Sequence, residues 1–350
     1  MTLFEQGKRL ISLREYGEML MPLECENDLE ATNHYGIVTD SSHTSILAVR
    51  TIETGYSLMP GPEFSPRLYR GQNKYYNTCV PSAFRFNRRI DMIFWRAKLI
   101  EVFEVMMQHP AFISFINYRI EGLIFDLDFE GLAQHYGFPT TLMDFSRSKD
   151  IAMFFATCSY NEESDTYQPM EAGNAALYTI DFKGLINCDA STVQPLGLQP
   201  LPRPEAQQAL AVRIRGNCNL NKMPWARHEE FEVTPQLSQK YYDLFEGGAK
   251  LFPQNPFDSF IQSLRMNKSL PLESLEDGIK HGWTPPHPDG IDAAVRAFEE
   301  AGYTIVKKRA DLSQEIIDAA DKEWKERSPD YFSRIKLRGV SDHLCEANSG

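Results

Sequence analysis

The chain of 350 residues is 42% hydrophobic and 12% aromatic, which is enough to bury a sizeable core, and it has no run of about 20 apolar residues that could span a membrane. With 36 basic and 48 acidic residues the net charge is −12, so an extended nucleic-acid surface is not expected and a nucleotide-sized anion is the better partner. The six cysteines form no CxxC pair and the N-terminus lacks a signal-peptide pattern, so we expect a soluble cytoplasmic protein with free thiols, no membrane partner and no metal.

The first predicted boundary lies in the passage MPGPEFSP, where three prolines and a glycine break any regular element. Residues 1–60 begin with a predicted amphipathic helix and form an N-terminal extension. The segment 61–250 is predicted to be an α+β core with a mixed central sheet and flanking helices. Residues 251–350 are rich in prolines and form a C-terminal region of loops and helices.

Within the core, RLYRGQ at 67–72 predicts a short strand, and apolar residues at helical spacing predict a long helix over 88–108. A second helix, FEGLAQHY, should end at Gly137, because glycine readily takes the left-handed conformation at a helix end and a proline follows two residues later. TTLMDF then predicts a buried strand. The next predicted helix, KDIAMFFATC, has Ser148 as its N-cap and Phe155 on its buried face.

Further along the chain, AALYTIDF and HEEFEVT predict two more strands, and alternate residues of the first should lie on one buried face. Four prolines between positions 195 and 204 indicate a loop or linker. The C-terminal region adds the helix IDAAVRAFEEAG, the strand YTIVKK and the helix SQEIIDAADKEWKERS. This order of elements is typical of the α+β class.

Three polar residues near predicted element ends are candidate ligand contacts. Arg70 lies beside a glycine that would let a ligand approach the backbone, and guanidinium binds phosphate or carboxylate bidentately. Asp144 ends a buried strand, where a carboxylate must be paired, and Arg70 is its candidate partner in a purely structural interpretation. His135 could act as a general base or bind a ligand, or it could simply stabilise a helix C-terminus.

The segments LYRGQ at 68–72 and LAQHYGFPTTLMDFSRSKDIAMFFA at 132–156 resemble the FRG domain, a family named for its aromatic-Arg-Gly motif. The resemblance extends over residues 60–215, with Phe138 and Met143 where leucine is more usual. It implies a shared site more than a particular reaction. The polar cleft that it implies is lined by Arg70, Gln72, His135, Tyr136, Asp144 and Ser146.

The motif order is also similar to that of Arg-Ser-Glu-type ADP-ribosyltransferases, in which an arginine holds the NAD phosphates and a final glutamate stabilises the oxocarbenium-like sugar. Here Arg70, Ser146-x-Ser148 and Glu230-x-Glu232 occur in that order. Positions 230 and 232 of a strand share a face, so both carboxylates could converge on a ligand. The resemblance implies NAD as the cofactor and Glu232 and Glu230 as catalytic residues, and His135 is the candidate general base beside them. The N-cap position alone also explains Ser148.

Arg203 and Gln208 follow the proline-rich loop and could recognise a base edge or tie the loop to the core. The hypothesis is an FRG-domain protein that binds a nucleotide-like small molecule and transfers ADP-ribose from NAD to an unknown acceptor, for example a protein. The alternative is a non-enzymatic ligand-sensing or protein-interaction module. Geometry separates the two, because transfer needs Glu230 or Glu232 within a few ångströms of Arg70 and Ser146.

Overall fold

The computed structural model describes residues 46–50, 55–60, 67–118, 124–125, 127–161, 164–181, 191–196, 199–214, 218–333 and 335–337. The predicted N-terminal amphipathic helix and three of the six cysteines lie outside these residues. The described cysteines, Cys79, Cys158 and Cys218, are free thiols. No single helix in the described ranges is long and apolar enough to cross a membrane.

The main sheet is antiparallel and carries four of the segments predicted as strands, and the fifth, YTIVKK, contributes to a separate two-stranded sheet. The strands are β1 (Ile46–Arg50), β2 (Gly55–Pro60), β3 (Arg67–Gln72), β4 (Ile124–Phe125), β5 (Leu142–Ser146), β6 (Cys158–Asn161), β7 (Thr166–Pro169), β8 (Gly173–Asp181), β9 (Ser191–Pro195), β10 (Ala209–Ile214), β11 (Ala226–Val233), β12 (Ser269–Pro271), β13 (Thr304–Val306) and β14 (Ile335–Leu337). The main sheet has the order β11-β8-β3-β5-β10-β9, with every neighbouring pair antiparallel. Parallel pairs occur in smaller sheets, between β1 and β14, β2 and β4, and β12 and β13.

Helices pack around these sheets, as the sequence predicts. They are α1 (Arg89–Met106), α2 (Pro110–Asn117), α3 (Phe129–His135), α4 (Lys149–Thr157), α5 (Arg203–Ala206), α6 (Pro235–Leu244), α7 (Asp258–Met266), α8 (Leu272–Lys280), α9 (Ile291–Glu300) and α10 (Gln314–Ser333). Sheet and helices together confirm the α+β class.

Helix α3 ends as its sequence predicts. Gly137 has φ +83°, and its N–H donates to the carbonyl of Gln134 at 2.9 Å, while Phe138 N–H donates to Ala133 O at 3.0 Å. These two bonds define a Schellman motif, which satisfies carbonyls that the helix end would leave without partners. The turn fixes His135 and the residue after it where the chain leaves the helix.

The glycine of the LYRGQ motif serves helix packing. A Cβ atom at Gly71 would lie 1.7 Å from the carbonyl oxygen of Ala152 and 2.8 Å from the backbone nitrogen of Ala156, both in α4. Only a residue without a side chain lets β3 and α4 approach this closely. Helix packing therefore accounts for the missing side chain of Gly71, and the expectation that it admits a ligand to the backbone stays a prediction.

The buried faces of one strand, β8, and one helix, α4, differ from the prediction. Strand β8 was expected to bury one face, yet Ala175 and Leu177 are buried as well as Ala176 and Tyr178, because α4 and α6 cover the second face. On α4 itself, Phe154 is the fully buried aromatic residue. Phe155, predicted to lie in the core, is only half-buried and faces a cavity.

The C-terminal region shares its core with the central region. Phe257 of the C-terminal region packs in one buried cluster with Val102 and Phe129. Phe298 of α9 packs with Phe94 of α1, with ring centroids 6.2 Å apart. The boundary predicted after residue 250 is crossed by continuous apolar packing.

Candidate functional site

A cavity of about 950 Å³ lies against one side of the split between β3 and β5. Its walls come from these strands, from the end of α3, from the turn between α5 and β10 and from residues 247–265. A volume of this size is in the range of small-molecule sites in proteins. The cavity is the candidate functional site of the described chain.

The split between two neighbouring strands creates the cavity. Strands β3 and β5 share one register pair, Tyr69 with Ser146, although β3 continues to pair with β8 as far as Gln72. Arg70 spans the gap beyond that pair, and its Nη1 donates a hydrogen bond to the backbone carbonyl of Asp144 at 2.8 Å. Arg70 therefore contacts the backbone of Asp144. The structural interpretation instead predicts an ion pair between Arg70 and the Asp144 carboxylate.

The Asp144 carboxylate faces His135 instead. Asp144 Oδ1 lies 3.8 Å from His135 Nε2, too far for a direct hydrogen bond. The other ring nitrogen, Nδ1, lies 2.9 Å from Gln207 Oε1. Burial lowers the pKa of His135, and the charge of Arg203 adds to this, while Asp144 and the hydrogen bond to Gln207 oppose it. The imidazole is therefore neutral at pH 7.

Several buried polar side-chain atoms without a hydrogen-bond partner in the described chain lie on residues that line this cavity. Buried polar atoms normally have partners, so a group of such atoms in one place indicates a site for a ligand. Those on cavity-lining residues are Gln72 Oε1, Gln134 Oε1, His135 Nε2, Asp144 Oδ1, Asp258 Oδ1, Arg70 Nε and Arg203 Nε.

Two arginines meet at one end of the cavity. Arg85 is exposed at the rim, where its Nε donates to the carbonyl of Val80 at 3.0 Å. Partial desolvation of the guanidinium and the charge of nearby Arg70 lower the pKa of Arg85. Within the described residues, neither arginine forms an ion pair with a carboxylate. This end of the cavity therefore carries two guanidinium groups without an ion-pair partner among the described residues, and the charge of Asp144 acts on Arg85 and offsets part of their repulsion.

Arg203 lies deeper and is held by its neighbours. Its guanidinium stacks over the ring of Tyr136, with the central carbon 4.2 Å from the ring centroid. It pairs with Asp258 at 3.2 Å. The hydroxyl of Tyr136 accepts a hydrogen bond from Asn255 at 3.0 Å, and burial raises the pKa of Tyr136. These contacts make Arg203 and Tyr136 a rigid wall of the cavity.

Aromatic rings form another wall. Tyr167 stacks on Phe252 with centroids 5.2 Å apart, and Phe155 meets both rings edge-on. Tyr160 lies 5.2 Å from Tyr167 and keeps 37% of its surface exposed. Flat rings that are partly exposed can stack on the ring of a ligand.

The structure brings most of the sequence-predicted residues together. The predicted site residues that line the cavity are Arg70, Gln72, His135, Tyr136, Asp144, Ser146 and Arg203. The convergence of residues from β3, α3 and β5 in one cavity is thus confirmed. Ser148, Gln208, Glu230 and Glu232 do not line it.

The two glutamates lie on the edge strand β11 and are exposed. In register, Arg70 is opposite Tyr178, which in turn is opposite His228, so β8 separates β11 from the strand of Arg70. Asn174 donates a hydrogen bond to Glu230 at 3.0 Å. The geometric condition set for ADP-ribosyl transfer, an acid from this motif beside Arg70, is not met.

The Ser-x-Ser turn is explained by backbone hydrogen bonds. Ser146 Oγ donates to the carbonyl of Gln207 at 2.8 Å and accepts from Ser148 N–H at 3.0 Å. Ser148 Oγ accepts from Ile151 N–H at 3.4 Å and caps α4, as predicted. Both hydroxyls hold the strand-to-helix turn in place.

The site residues chosen from the sequence leave out several residues that line the cavity. Gln207 lines the cavity where its neighbour Gln208 was chosen. Arg85 belongs to the RFNRR segment, a basic cluster visible in the sequence. Residues 247–265 carry no recognisable motif, and only their packing against α1 and α3 brings Asp258 and Arg265 to the cavity.

Comparisons with known proteins agree with the motifs. Residues 65–165 match the family model of the FRG domain, and the match includes Arg70, His135 and Asp144. No curated protein and no solved structure matches the chain. These comparisons show an FRG domain, and none of them bears on nucleotide binding or on ADP-ribosyl transfer.

Proposed function

We propose that this chain, through its FRG domain, binds a nucleotide-like small molecule in the cavity between β3 and β5, with the anionic group of the ligand against Arg70 and Arg85. The observation that carries the proposal is the pair of neighbouring arginines that lack a carboxylate partner among the described residues. Like charges at close range repel each other, and a bound anion removes that cost.

The remaining walls suit the other parts of a nucleotide. Tyr160, Tyr167 and Phe252 offer ring faces, and the amides of Gln72 and Gln134 offer unpartnered acceptor atoms. Ring stacking and a few placed polar groups are the usual means by which a cavity of this volume selects a ligand. A phosphate, a sugar and a base together would use all of these walls.

The proposal concerns binding and includes NAD as a candidate ligand. The carboxylates of the predicted catalytic motif, Glu230 and Glu232, lie outside the cavity, so the geometry supports no transfer step. Incubation with labelled NAD and a cell extract provides the separate test. Label transfer by the wild type and its loss in Glu232→Ala would restore the transferase hypothesis.

Calorimetry tests the binding. AMP, ADP-ribose and NAD are titrated into the full chain at low salt, and at least one is expected to bind. Arg70→Ala should weaken that binding by about 2 kcal/mol or more, which is roughly 30-fold, because it removes the charge that faces the anion. Arg85→Ala should have a smaller effect, since Arg85 is exposed at the rim.

Arg88→Ala is the matched control, because Arg88 is an exposed arginine that pairs with Asp91 outside the cavity. It should leave the affinity unchanged. Thermal melts of all three variants show whether a lost affinity reflects lost folding. If none of the three nucleotides binds the wild type at millimolar concentration, the proposal is wrong and the alternative, a protein-interaction module, is favoured.

A further inference from the structure

Gln207 fixes which nitrogen of His135 carries the proton. The side-chain amide of Gln207 donates through Nε2 to the carbonyl of Leu251 at 3.0 Å, which fixes the orientation of the amide. Its oxygen, Oε1, therefore faces His135 Nδ1 at 2.9 Å. A carbonyl oxygen can only accept a hydrogen bond, so Nδ1 of the neutral imidazole is the protonated nitrogen.

The other nitrogen, Nε2, then presents a lone pair to the cavity. Nε2 is buried and has no hydrogen-bond partner in the described chain, and the same holds for Asp144 Oδ1. The two atoms are 3.8 Å apart, so the site contains two neighbouring acceptors with no donor between them. A buried acceptor without a donor is costly, and two adjacent ones are more so.

We propose that His135 Nε2 and Asp144 Oδ1 form a donor-binding subsite, which takes two adjacent hydroxyls or one amino group of the ligand, and that Gln207 is the positioning residue that creates it. The subsite deepens the proposed function, on which its ligand assignment rests. A ribose diol and the amino group of a purine share this chemistry. The subsite repels phosphate, so it also sets the direction of the ligand, with the anion at Arg70 and Arg85.

The charges around the histidine are consistent with this assignment. Asp144 on β5 faces Nε2, Gln207 in the turn after α5 faces Nδ1, and Arg203 of α5 donates from Nη1 to the His135 carbonyl at 3.4 Å. Burial keeps the pKa of His135 low against the pull of Asp144. The alternative is an imidazolium bonded directly to Asp144, for which the separation of 3.8 Å is too long.

Nitrogen NMR of the full chain with ¹⁵N-labelled histidine tests the subsite without any ligand. The His135 signals are assigned by their loss in His135→Asn. At pH 7, Nδ1 should carry the proton and Nε2 should not. Gln207→Leu should abolish this preference, because it removes the acceptor opposite Nδ1. A proton on Nε2 of the wild-type protein overturns the inference, whether or not nucleotides bind.

Matched ligands then identify the donor. The probes are AMP, 2′-deoxy-AMP, and purine riboside 5′-monophosphate, which lacks the amino group. AMP should shift the His135 Nε2 signal, and the analogue without the relevant donor should bind roughly 10-fold or more weakly, the usual cost of a lost hydrogen bond to a charged group. In Asp144→Asn this difference between ligands should shrink.

D-ribose and adenine, which carry no phosphate, separate failure of the subsite from failure of the proposed function. If AMP binds but does not shift the Nε2 signal, and both analogues bind within twofold of AMP, the proposed function stands and the inference is wrong. If no nucleotide binds but D-ribose or adenine shifts the Nε2 signal, the inference stands and the proposed function is wrong. If no probe shifts the signal, the inference is wrong.

Discussion

At position 109 a histidine occupies the N-cap of helix α2, where its Nδ1 accepts a hydrogen bond from Ala111 N–H at 3.1 Å. The ring is 1% exposed and lies edge-on to Phe112 and Phe257. Burial, and to a smaller extent the charge of Arg327, lowers the pKa of His109 to about 4. Protonation would remove the lone pair that caps the helix.

Because the pKa of His109 is lowered in the folded chain, we expect the free energy of unfolding to decrease in acid. Between pH 6.5 and about 4 the unfolded chain binds a proton at His109 that the folded chain does not, so the free energy of unfolding falls as the pH falls. The contribution is fully present above pH 6.5, and about 3 kcal/mol is lost by pH 4.

Urea unfolding at several pH values measures this loss. His109→Asn keeps a capping oxygen without a titrating group, so its stability should depend less steeply on pH, even if it is lower overall. An unchanged slope in this variant would show that other groups cause the acid sensitivity.

The polar site residues could be predicted one by one, but their contacts could not. Arg70, His135 and Asp144 stand at ends of strongly patterned elements, and this pattern identified them. Which atoms they contact depends on the split between β3 and β5, which no local pattern encodes. The choice of Gln208 over Gln207 failed for the same reason, because the turn before β10 decides which amide faces inward.

At the scale of elements, the close approach of β3 and α4 predicts how much stability is lost when a methyl group is added at Gly71. Gly71→Ala should destabilise the fold by about 3 kcal/mol or more, because the new Cβ meets backbone atoms of α4 that cannot move separately. Gly302→Ala is the comparison. It has open space but φ +92°, and should cost only about 1 to 2 kcal/mol of backbone strain. Urea unfolding ranks the two, and equal costs would contradict the packing role of Gly71.

Helix α1 contains a buried ion pair, which predicts the relative stabilities of a single and a double variant. Lys98 Nζ lies 2.5 Å from Glu101 Oε2, both side chains are nearly fully buried, and Lys98 also donates to the carbonyl of Ser269 at 2.8 Å. Lys98→Met should cost about 3 to 5 kcal/mol, because it leaves a buried carboxylate without its partner. The double variant with Glu101→Leu should recover most of that loss. Thermal melts measure both, and additive losses would contradict the coupling.

Most elements were predictable because their signals are local. The glycine stop of α3 and the serine cap of α4 each depend on residues within one or two turns of the helix. The second buried face of β8 was not predictable, since it depends on α4 and α6 packing from elsewhere in the sequence.

At the scale of the whole molecule, the C-terminal region belongs to the core. A chain that ends at residue 250 would lose Phe257, Ile261 and Leu264 from the cluster around Val102 and Phe129. We expect such a chain to show no cooperative thermal transition, because each large side chain removed from a core costs several kcal/mol and the whole fold has only about 5 to 15. Circular dichroism measures the transition. A cooperative melt close to that of the full chain would support the boundary predicted after residue 250.

The single register pair between β3 and β5 divides the main sheet into two halves, β11-β8-β3 and β5-β10-β9. The pair Tyr69–Ser146 and the hydrogen bond from Arg70 to the Asp144 carbonyl both cross this line. Arg70 belongs to one half and Asp144 to the other. A ligand that contacts both residues would therefore connect the two halves of the sheet at the place where they share a single register pair.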